Sequence, residues 1–185
     1  IKFTVLSPGQ ALMIRPIAPP QGGSEAGVSW HSEKRSEWID VSEGRIDPTR
    51  PYRVFLNSQR NKFIDVFFYD GPLSRAIAYE KILSSGEALL GRITGILDSH
   101  KNGPRLLNIA TDGESYGHHF KFGEMALSWL FDHIDNKSNI KLINYGAFLE
   151  IFTPDHEVKI VENSSWSCAH GVERWRSDCG CSVSG

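Results

Sequence analysis

Length, composition and charge already exclude several classes of protein. The chain has 185 residues, 40% of them hydrophobic, so it can bury a core as a single domain over residues 1–185. A net charge of −2 gives no electrostatic reason to expect a nucleic acid or an anionic membrane as partner, and no apolar run approaches the roughly 20 residues of a membrane span. The three cysteines all follow residue 167 and do not form a disulfide framework, so we expect a reducing, cytoplasmic setting.

The N-terminal part of the chain is predicted to contain one strand and a long loop. Apolar side chains at positions 1, 3, 5 and 6 predict a strand that ends at Ser7-Pro8-Gly9-Gln10. Gln10 lies just past that strand end, so its amide could bind a ligand, although a turn residue is an equally good interpretation. Three prolines and three glycines between Arg15 and Gly27 predict a surface loop. Trp30 and Trp38 follow, and such side chains cover a core more often than they stack on sugars.

A hairpin comes next in the predicted order. The segments Tyr52–Leu56 and Phe63–Tyr69 flank the polar segment Asn57–Asn61, and the second is almost continuously apolar, as in a strand covered on both faces. It ends at Asp70-Gly71-Pro72. Asp70 suits the N-cap of a helix, but it also lies at the carboxyl end of a strand, where α/β folds place their sites.

Apolar periodicity predicts four helices and two short strands in the rest of the chain. One helix follows Asp70 and breaks near Ser84-Ser85-Gly86, where a second begins. A third, starting at about Lys121, carries His133 as a core or C-terminal-turn residue. The remaining predictions are strands at 140–143 and 157–161 and a short helix at 145–152.

The stretch from Arg105 to Phe120 is where the sequence concentrates its chemistry. Its apolar run, Leu106–Ala110, predicts a buried parallel strand. Two carboxylates and two histidines follow before the next helix: Asp112, Glu114, His118 and His119. Side chains just past the carboxyl end of a strand face the shared site of open and barrel α/β folds, so we expect a functional loop here.

This loop carries a family resemblance. The sequence Thr111-Asp-Gly-Glu-Ser-Tyr-Gly-His-His119 resembles the Asp-Gly-Glu-x-(Phe/Tyr)-Gly motif of glycoside hydrolase family 57, and most of all its uncharacterised branch, in which two His follow the last Gly. The resemblance extends to Phe67–Arg75 and to Ser165–Cys181. It implies an α/β fold that is a partial (β/α)7 barrel, incomplete at its N-terminus. It also implies retaining hydrolysis or glucosyl transfer on α-glucans.

The same resemblance implies that Asp112 takes the general acid/base role. From their positions in the loop, we expect Glu114 to orient the loop or bind a sugar hydroxyl, and His118 and His119 to bind substrate hydroxyls. The family nucleophile, a Glu, would lie upstream of Ile1. We therefore expect the isolated chain to be inactive without the N-terminal half of the barrel, with an α-glucan or oligosaccharide as substrate and no cofactor.

The C-terminal block supports two interpretations. Trp166 and His170-Gly171 are similar to a family motif at the sugar site, which would make Trp166 and His170 substrate contacts. The set Cys168, His170, Cys179 and Cys181 instead has the ligand types of a zinc site, although its spacing is tighter than the usual C-x2-C, and we expect no metal.

Two alternative functions stay open at this point. The runner-up is a metal-dependent polysaccharide deacetylase with Asp112, His118 and His119 as ligands. The third is a non-catalytic carbohydrate-binding fragment.

Overall fold

The structure is a computed structural model that describes residues 2–17, 37–99, 105–134 and 140–181. The chain divides into two compact units. The first comprises residues 1–47, 51–67 and 153–185, and the second comprises residues 48–50 and 68–152. The single domain predicted over residues 1–185 stays a prediction. Among the described residues, no helix has the length and apolar character needed to cross a membrane.

The first unit is built on a mixed sheet. Six strands lie within the described residues, in the spatial order β1-β5-β4-β6-β2-β3: β1 Phe3–Leu6, β2 Ala11–Pro16, β3 Ile39–Asp40, β4 Tyr52–Phe55, β5 Phe63–Phe68 and β6 His156–Ile160. The pairs β2–β3, β2–β6 and β4–β5 are antiparallel, whereas β4 and β6 are parallel. The mixed α/β content agrees with the predicted fold class at that level. The partial barrel itself stays a prediction.

A row of charged side chains crosses this sheet. The strand register places Arg15 opposite Glu157, Glu157 beside Arg53, and Arg53 opposite Asp65. Arg15 and Arg60 both bind the Glu157 carboxylate. Arg53 makes a bidentate contact with the Asp65 carboxylate, with N–O distances of 2.7 and 3.1 Å. Both acids are buried. Because a buried carboxylate is costly unless it is paired, each depends on its arginine partners.

The second unit is mainly helical in the part of the chain that the structure describes. It contains α1 Gly71–Tyr79, α2 Gly86–Ser99, α3 Gly123–Ile134 and α4 Tyr145–Ile151. One face of each of α1, α2 and α3, together with the 3-10 turn Ile82–Ser84, buries apolar side chains in a common core: Leu73, Ile77, Leu83, Leu89, Leu90, Ile93, Ala126, Leu130 and Ile134. A fifth short helix, α5 Glu173–Arg176, belongs to the first unit.

Most of the predicted elements are confirmed. The structure contains the N-terminal strand, the hairpin β4–β5, the four predicted helices and the last strand β6. His133 lies in the last turn of α3, where its ring stacks on Trp129 at 3.8 Å between centroids. Trp30 and most of the predicted Arg15–Gly27 loop lie outside the described residues.

Three predictions of local structure are wrong. Residues 106–110 and 140–143 are described and contain no strand. Residues 106–110 instead make single hydrogen bonds to several different segments, such as the bond from Leu106 N–H to Thr49 O at 2.8 Å. Isolated bonds of this kind do not form the regular ladder of a β-sheet. Arg15 and Pro16 are predicted to lie in a loop, but they are the last two residues of β2. The sequence analysis missed this strand end because the prolines and glycines that follow Arg15 favour a loop.

Candidate functional site

The segment Leu106–Ala110 lies beside the end of β5 and the start of α1. Asn108 donates its amide Nδ2 to Phe68 O at 2.9 Å, while the Asp70 N–H donates to Asn108 O at 2.8 Å. Further along, Ala110 N–H donates to the Ser74 hydroxyl at 3.2 Å. These contacts advance in the same direction along both segments, from Phe68 to Ser74 on one and from Asn108 to Ala110 on the other.

Asn108 is a structural residue of this region that the sequence analysis missed. It is 6% exposed, and besides its bond to Phe68 its Oδ1 accepts from the Tyr145 hydroxyl at 3.3 Å. Burial also raises the pKa of Tyr145, which keeps that hydroxyl protonated as a donor. A lone amide side chain inside an apolar run was the available signal, because a buried amide needs partners.

Asp112 lies at the start of a short 3-10 turn, Gly113–Ser115. Its main-chain oxygen accepts the Ser115 N–H at 3.1 Å, but its side chain makes no capping hydrogen bond among the described residues. The residue is exposed. The carboxylate of Asp112 is therefore presented to solvent at the head of the loop.

Buried anchors hold the loop around Asp112. Ser115 is 2% exposed, and the Tyr116 hydroxyl lies 3.0 Å from the Thr111 hydroxyl while its ring packs against the helical core. At Gly123, the first residue of α3, a Cβ would lie 3.1 Å from Leu83 Cδ1 and 3.2 Å from Ser115 O. This close approach favours glycine at that position, because a Cβ would crowd Leu83 and the loop backbone at Ser115.

Glu114 organises the two histidines of the loop. Its main-chain oxygen accepts the N–H groups of His118 and His119 at 3.1 and 2.9 Å. Its side chain lies 3.4 Å from His119 Nε2, and the two imidazole rings are 5.1 Å apart in an edge-to-face arrangement. All three side chains are exposed and can present hydrogen-bonding groups to a ligand. Their roles in substrate binding stay predictions.

Asp70 is the N-cap of α1. Its Oδ1 accepts the Leu73 N–H at 2.7 Å, its main-chain oxygen accepts Ser74 N–H at 3.0 Å, and the residue is buried. Pro72 stands in the first turn of the helix, where a missing N–H costs nothing. The capping interpretation of Asp70 is confirmed, and its role in substrate binding stays a prediction.

Gln10 and Trp166 belong to the first unit. The Gln10 side chain accepts the Ser7 N–H at 3.1 Å and donates to the Ser164 hydroxyl at 3.0 Å, so both ends of its amide have partners. Trp166 is 60% exposed. Their predicted contacts with substrate stay predictions.

The C-terminal block brings its three thiols and one imidazole together. We call the set Cys168, His170, Cys179 and Cys181 the Cys/His cluster. Its four ligand atoms all lie within 4.8 Å of one another, and none of the cysteines forms a disulfide. In the described part of the chain it is the one group of three or more potential ligands with this spacing; Asp112, His118 and His119 do not form such a group.

Neighbouring groups shift the thiol pKa values of the Cys/His cluster in opposite directions. A hydrogen bond from the backbone of His170 lowers the pKa of Cys168 to about 7. Hydrogen bonding with the sulfurs of Cys168 and Cys179 raises the pKa of Cys181 to about 11. Cys168 and Cys181 therefore do not ionise together at neutral pH unless a cation offsets their charge.

Comparison with known families identifies the class of this chain. The model of glycosyl hydrolase family 57 matches residues 25–161, which include Asp70 and the whole Asp112 loop. The chain belongs to glycosyl hydrolase family 57, which confirms the sequence resemblance and indicates glycosidase or glucanotransferase chemistry on a carbohydrate. No curated protein and no solved structure matches the chain. Gln10, Trp166 and the Cys/His cluster lie outside the matched residues.

Proposed function

We propose that this chain supplies the general acid/base of a retaining glycoside hydrolase or glucanotransferase acting on α-glucans, and that Asp112 is this residue. The observation that carries the proposal is the state of its carboxylate. Asp112 stands within the family match, in the Asp-Gly-Glu-x-Tyr-Gly loop, and its side chain is exposed rather than used as a cap. An acid/base needs this access, because it must reach the glycosidic oxygen.

The proposed mechanism divides the work between two carboxyl groups. Protonated Asp112 donates its proton to the leaving oxygen while the nucleophile, roughly 5–5.5 Å away, attacks the anomeric carbon. The Asp112 carboxylate then takes a proton from water, or from a sugar hydroxyl in glucosyl transfer. We assign the nucleophile to a Glu upstream of Ile1, in the N-terminal half of a partial (β/α)7 barrel of which this chain would be the C-terminal part.

The exposed groups beside Asp112 fit a role in holding sugar hydroxyls. Glu114 offers carboxylate acceptors and the two histidines offer ring nitrogens. The main-chain N–H groups of both histidines donate to the Glu114 main-chain oxygen, which keeps these groups close together. Such groups make the polar contacts by which sugars are oriented. The deacetylase alternative gains no support, because Asp112, His118 and His119 do not form a metal-holding group among the described residues.

The proposal is tested by comparing two forms of the protein on maltooligosaccharides and an activated aryl glucoside. We expect the 185-residue chain alone to release no sugar, because the nucleophile is missing. The chain extended upstream to include the barrel half should cleave or transfer, and Asp112→Asn should abolish most of that activity. Asp112-dependent turnover by the isolated chain as a monomer would show that the nucleophile lies within residues 1–185. Full activity of the extended Asp112→Asn variant would contradict the assignment of the acid/base.

A further inference from the structure

Four of the six distances between ligand atoms of the Cys/His cluster are close to those of a tetrahedral zinc site, and all six are within 4.8 Å. Zn–S bonds of about 2.3 Å and Zn–N bonds of about 2.0–2.1 Å separate two sulfurs by about 3.8 Å, and a sulfur from a nitrogen by about 3.6 Å. Cys168 Sγ lies 3.7 Å from Cys179 Sγ and 3.5 Å from Cys181 Sγ. His170 Nδ1 lies 3.6 Å from Cys168 Sγ and 3.2 Å from Cys181 Sγ.

The same distances argue against a disulfide as the reason for the clustering. A disulfide joins two sulfurs at about 2.05 Å and leaves a third thiol without a function. Here Cys168 lies almost equally far from both other cysteines, so the geometry selects neither of them as its disulfide partner. The imidazole nitrogen also faces the sulfurs, which a disulfide would not require but a four-ligand metal site would.

Two turns bring together the two ligand pairs of the cluster, Cys168 with His170 and Cys179 with Cys181. The first pair precedes α5 and the second follows it, and Gly171 N–H bonds to Cys168 O at 3.0 Å to form a tight turn. Gly171 has a φ of +62°, and a Cβ there would lie 1.9 Å from Asn163 O. After α5, Gly180 has a φ of +72° and its N–H bonds to the Asp178 side chain at 3.1 Å.

This segment buries few side chains of its own. Of residues 161–181, all of which the structure describes, only Cys168 and Gly171 are buried, and α5 has no buried residue. A segment with so few buried side chains gains little from the hydrophobic effect, and small structures of this kind need a covalent or metal staple.

We propose that the Cys/His cluster binds one Zn²⁺ ion in a closed tetrahedral site that maintains the fold of residues 165–181. Three thiolates and one imidazole suit zinc, whose structural sites take four protein ligands of these types. Because the protein supplies all four, no position remains for a substrate or an activated water, and the ion is structural. The site goes beyond the proposed glycosidase function, and its test does not depend on activity.

The first experiment measures metal in the purified 185-residue chain, prepared under reducing conditions and without an affinity tag that binds metals. We expect about one zinc per chain by elemental analysis. Removing it with a chelator should lower the Tm by about 5 °C or more, and zinc should restore it, because structural metal binding is folding free energy. The proposal would be overturned if the chain carried another metal or none. It would also be overturned if neither the chelator nor zinc changed the Tm.

Substitutions assign the ion to the cluster. Cys181→Ser should lose most of the zinc, whereas Arg174→Ala, an exposed change within α5, should retain it. Cobalt binding to the demetallated, unsubstituted chain covers the case in which Cys181→Ser does not fold. We expect the intense visible bands of tetrahedral Co²⁺ with sulfur-to-cobalt charge transfer in the near ultraviolet. An octahedral cobalt spectrum, or full zinc content in soluble Cys181→Ser, would assign the ion elsewhere.

Discussion

The two Asp-Gly dipeptides of the second unit show how one sequence pattern can serve two purposes. Asp70 and Asp112 each follow an apolar run and each begin a helical turn. Asp70 is 7% exposed and its carboxylate accepts the Leu73 N–H, whereas the Asp112 carboxylate is exposed and caps nothing within the described residues. The Asp70 carboxylate therefore stabilises a helix, whereas the Asp112 carboxylate can react with a ligand.

The length of the turn that follows each aspartate explains the difference. Asp70 begins the nine-residue helix α1, whose Leu73 N–H has no partner in the helix and so bonds to the cap. Asp112 begins a three-residue 3-10 turn, in which the equivalent N–H, that of Ser115, already donates to the Asp112 main-chain oxygen. The side chain of Asp112 is left without its usual donor.

The largest expected effect comes from removing the negative charge of Asp112 in the extended enzyme. Asp112→Asn should lower turnover of maltooligosaccharides by at least about 10²-fold, the scale of a lost general acid/base. Asp70→Asn is the matched variant, because Asn caps helices as well as Asp does. We expect it to stay within a few-fold of the wild type if Asp70 only caps α1, and a larger loss would assign Asp70 a role in substrate binding. Initial rates at saturating substrate measure both variants.

A substrate with a good leaving group sharpens the same comparison. Glucosyl fluoride needs little protonation on departure, so its glycosylation step should suffer less from Asp112→Asn than that of a maltooligosaccharide. Equal losses on both substrates would argue that Asp112 has another role. A large loss in Asp70→Asn, with Asp112→Asn fully active, would exchange the roles assigned to the two residues.

The second prediction concerns Asn108, which connects the two Asp-Gly segments. Asn108→Ala removes the donor to Phe68 O and the acceptor for the Tyr145 hydroxyl in a buried region. We expect a loss of about 1–3 kcal/mol in the free energy of unfolding, since unsatisfied buried polar groups cost that much. Urea denaturation of the 185-residue chain measures it. The exposed Asn61→Ala serves as control and should change stability by less than about 0.5 kcal/mol.

The smallest expected effect separates the two aspartates by stability. Asp70→Ala should cost about 1 kcal/mol, and no more than about 2 kcal/mol, because it removes an N-cap and leaves the Leu73 N–H without its acceptor. Asp112→Ala should lie within about 0.5 kcal/mol of the wild type, as expected at an exposed position with no cap. Denaturation midpoints at equal slopes measure the difference. A larger loss at Asp112 than at Asp70 would contradict the distinction between them.

Local patterns were enough to predict much of this chain. The apolar spacing of α3, the hairpin and the Asp70-Gly71-Pro72 helix start all depend on residues close in sequence, and the structure confirms each. The family resemblance rested on the Asp112 loop, which the family match contains. Leu106–Ala110 failed as a strand because an apolar run specifies burial but not a hydrogen-bonded neighbour.

By itself, the sequence determined the chemical types that the protein brings to each place: a cappable helix start at Asp70, an acid in a family 57 loop at Asp112, and zinc-type ligands in the C-terminal block. Tertiary structure alone decided which polar groups form hydrogen bonds within the fold and which are exposed and can bind a ligand. The Asp112 side chain is left without a capping bond because the Ser115 N–H donates to the Asp112 main-chain oxygen instead. Cys168 comes close to Cys181 because the chain turns at Gly171. Tertiary structure also paired Arg15 with Glu157 across 142 residues. Such contacts depend on backbone direction and burial, which residue spacing does not encode.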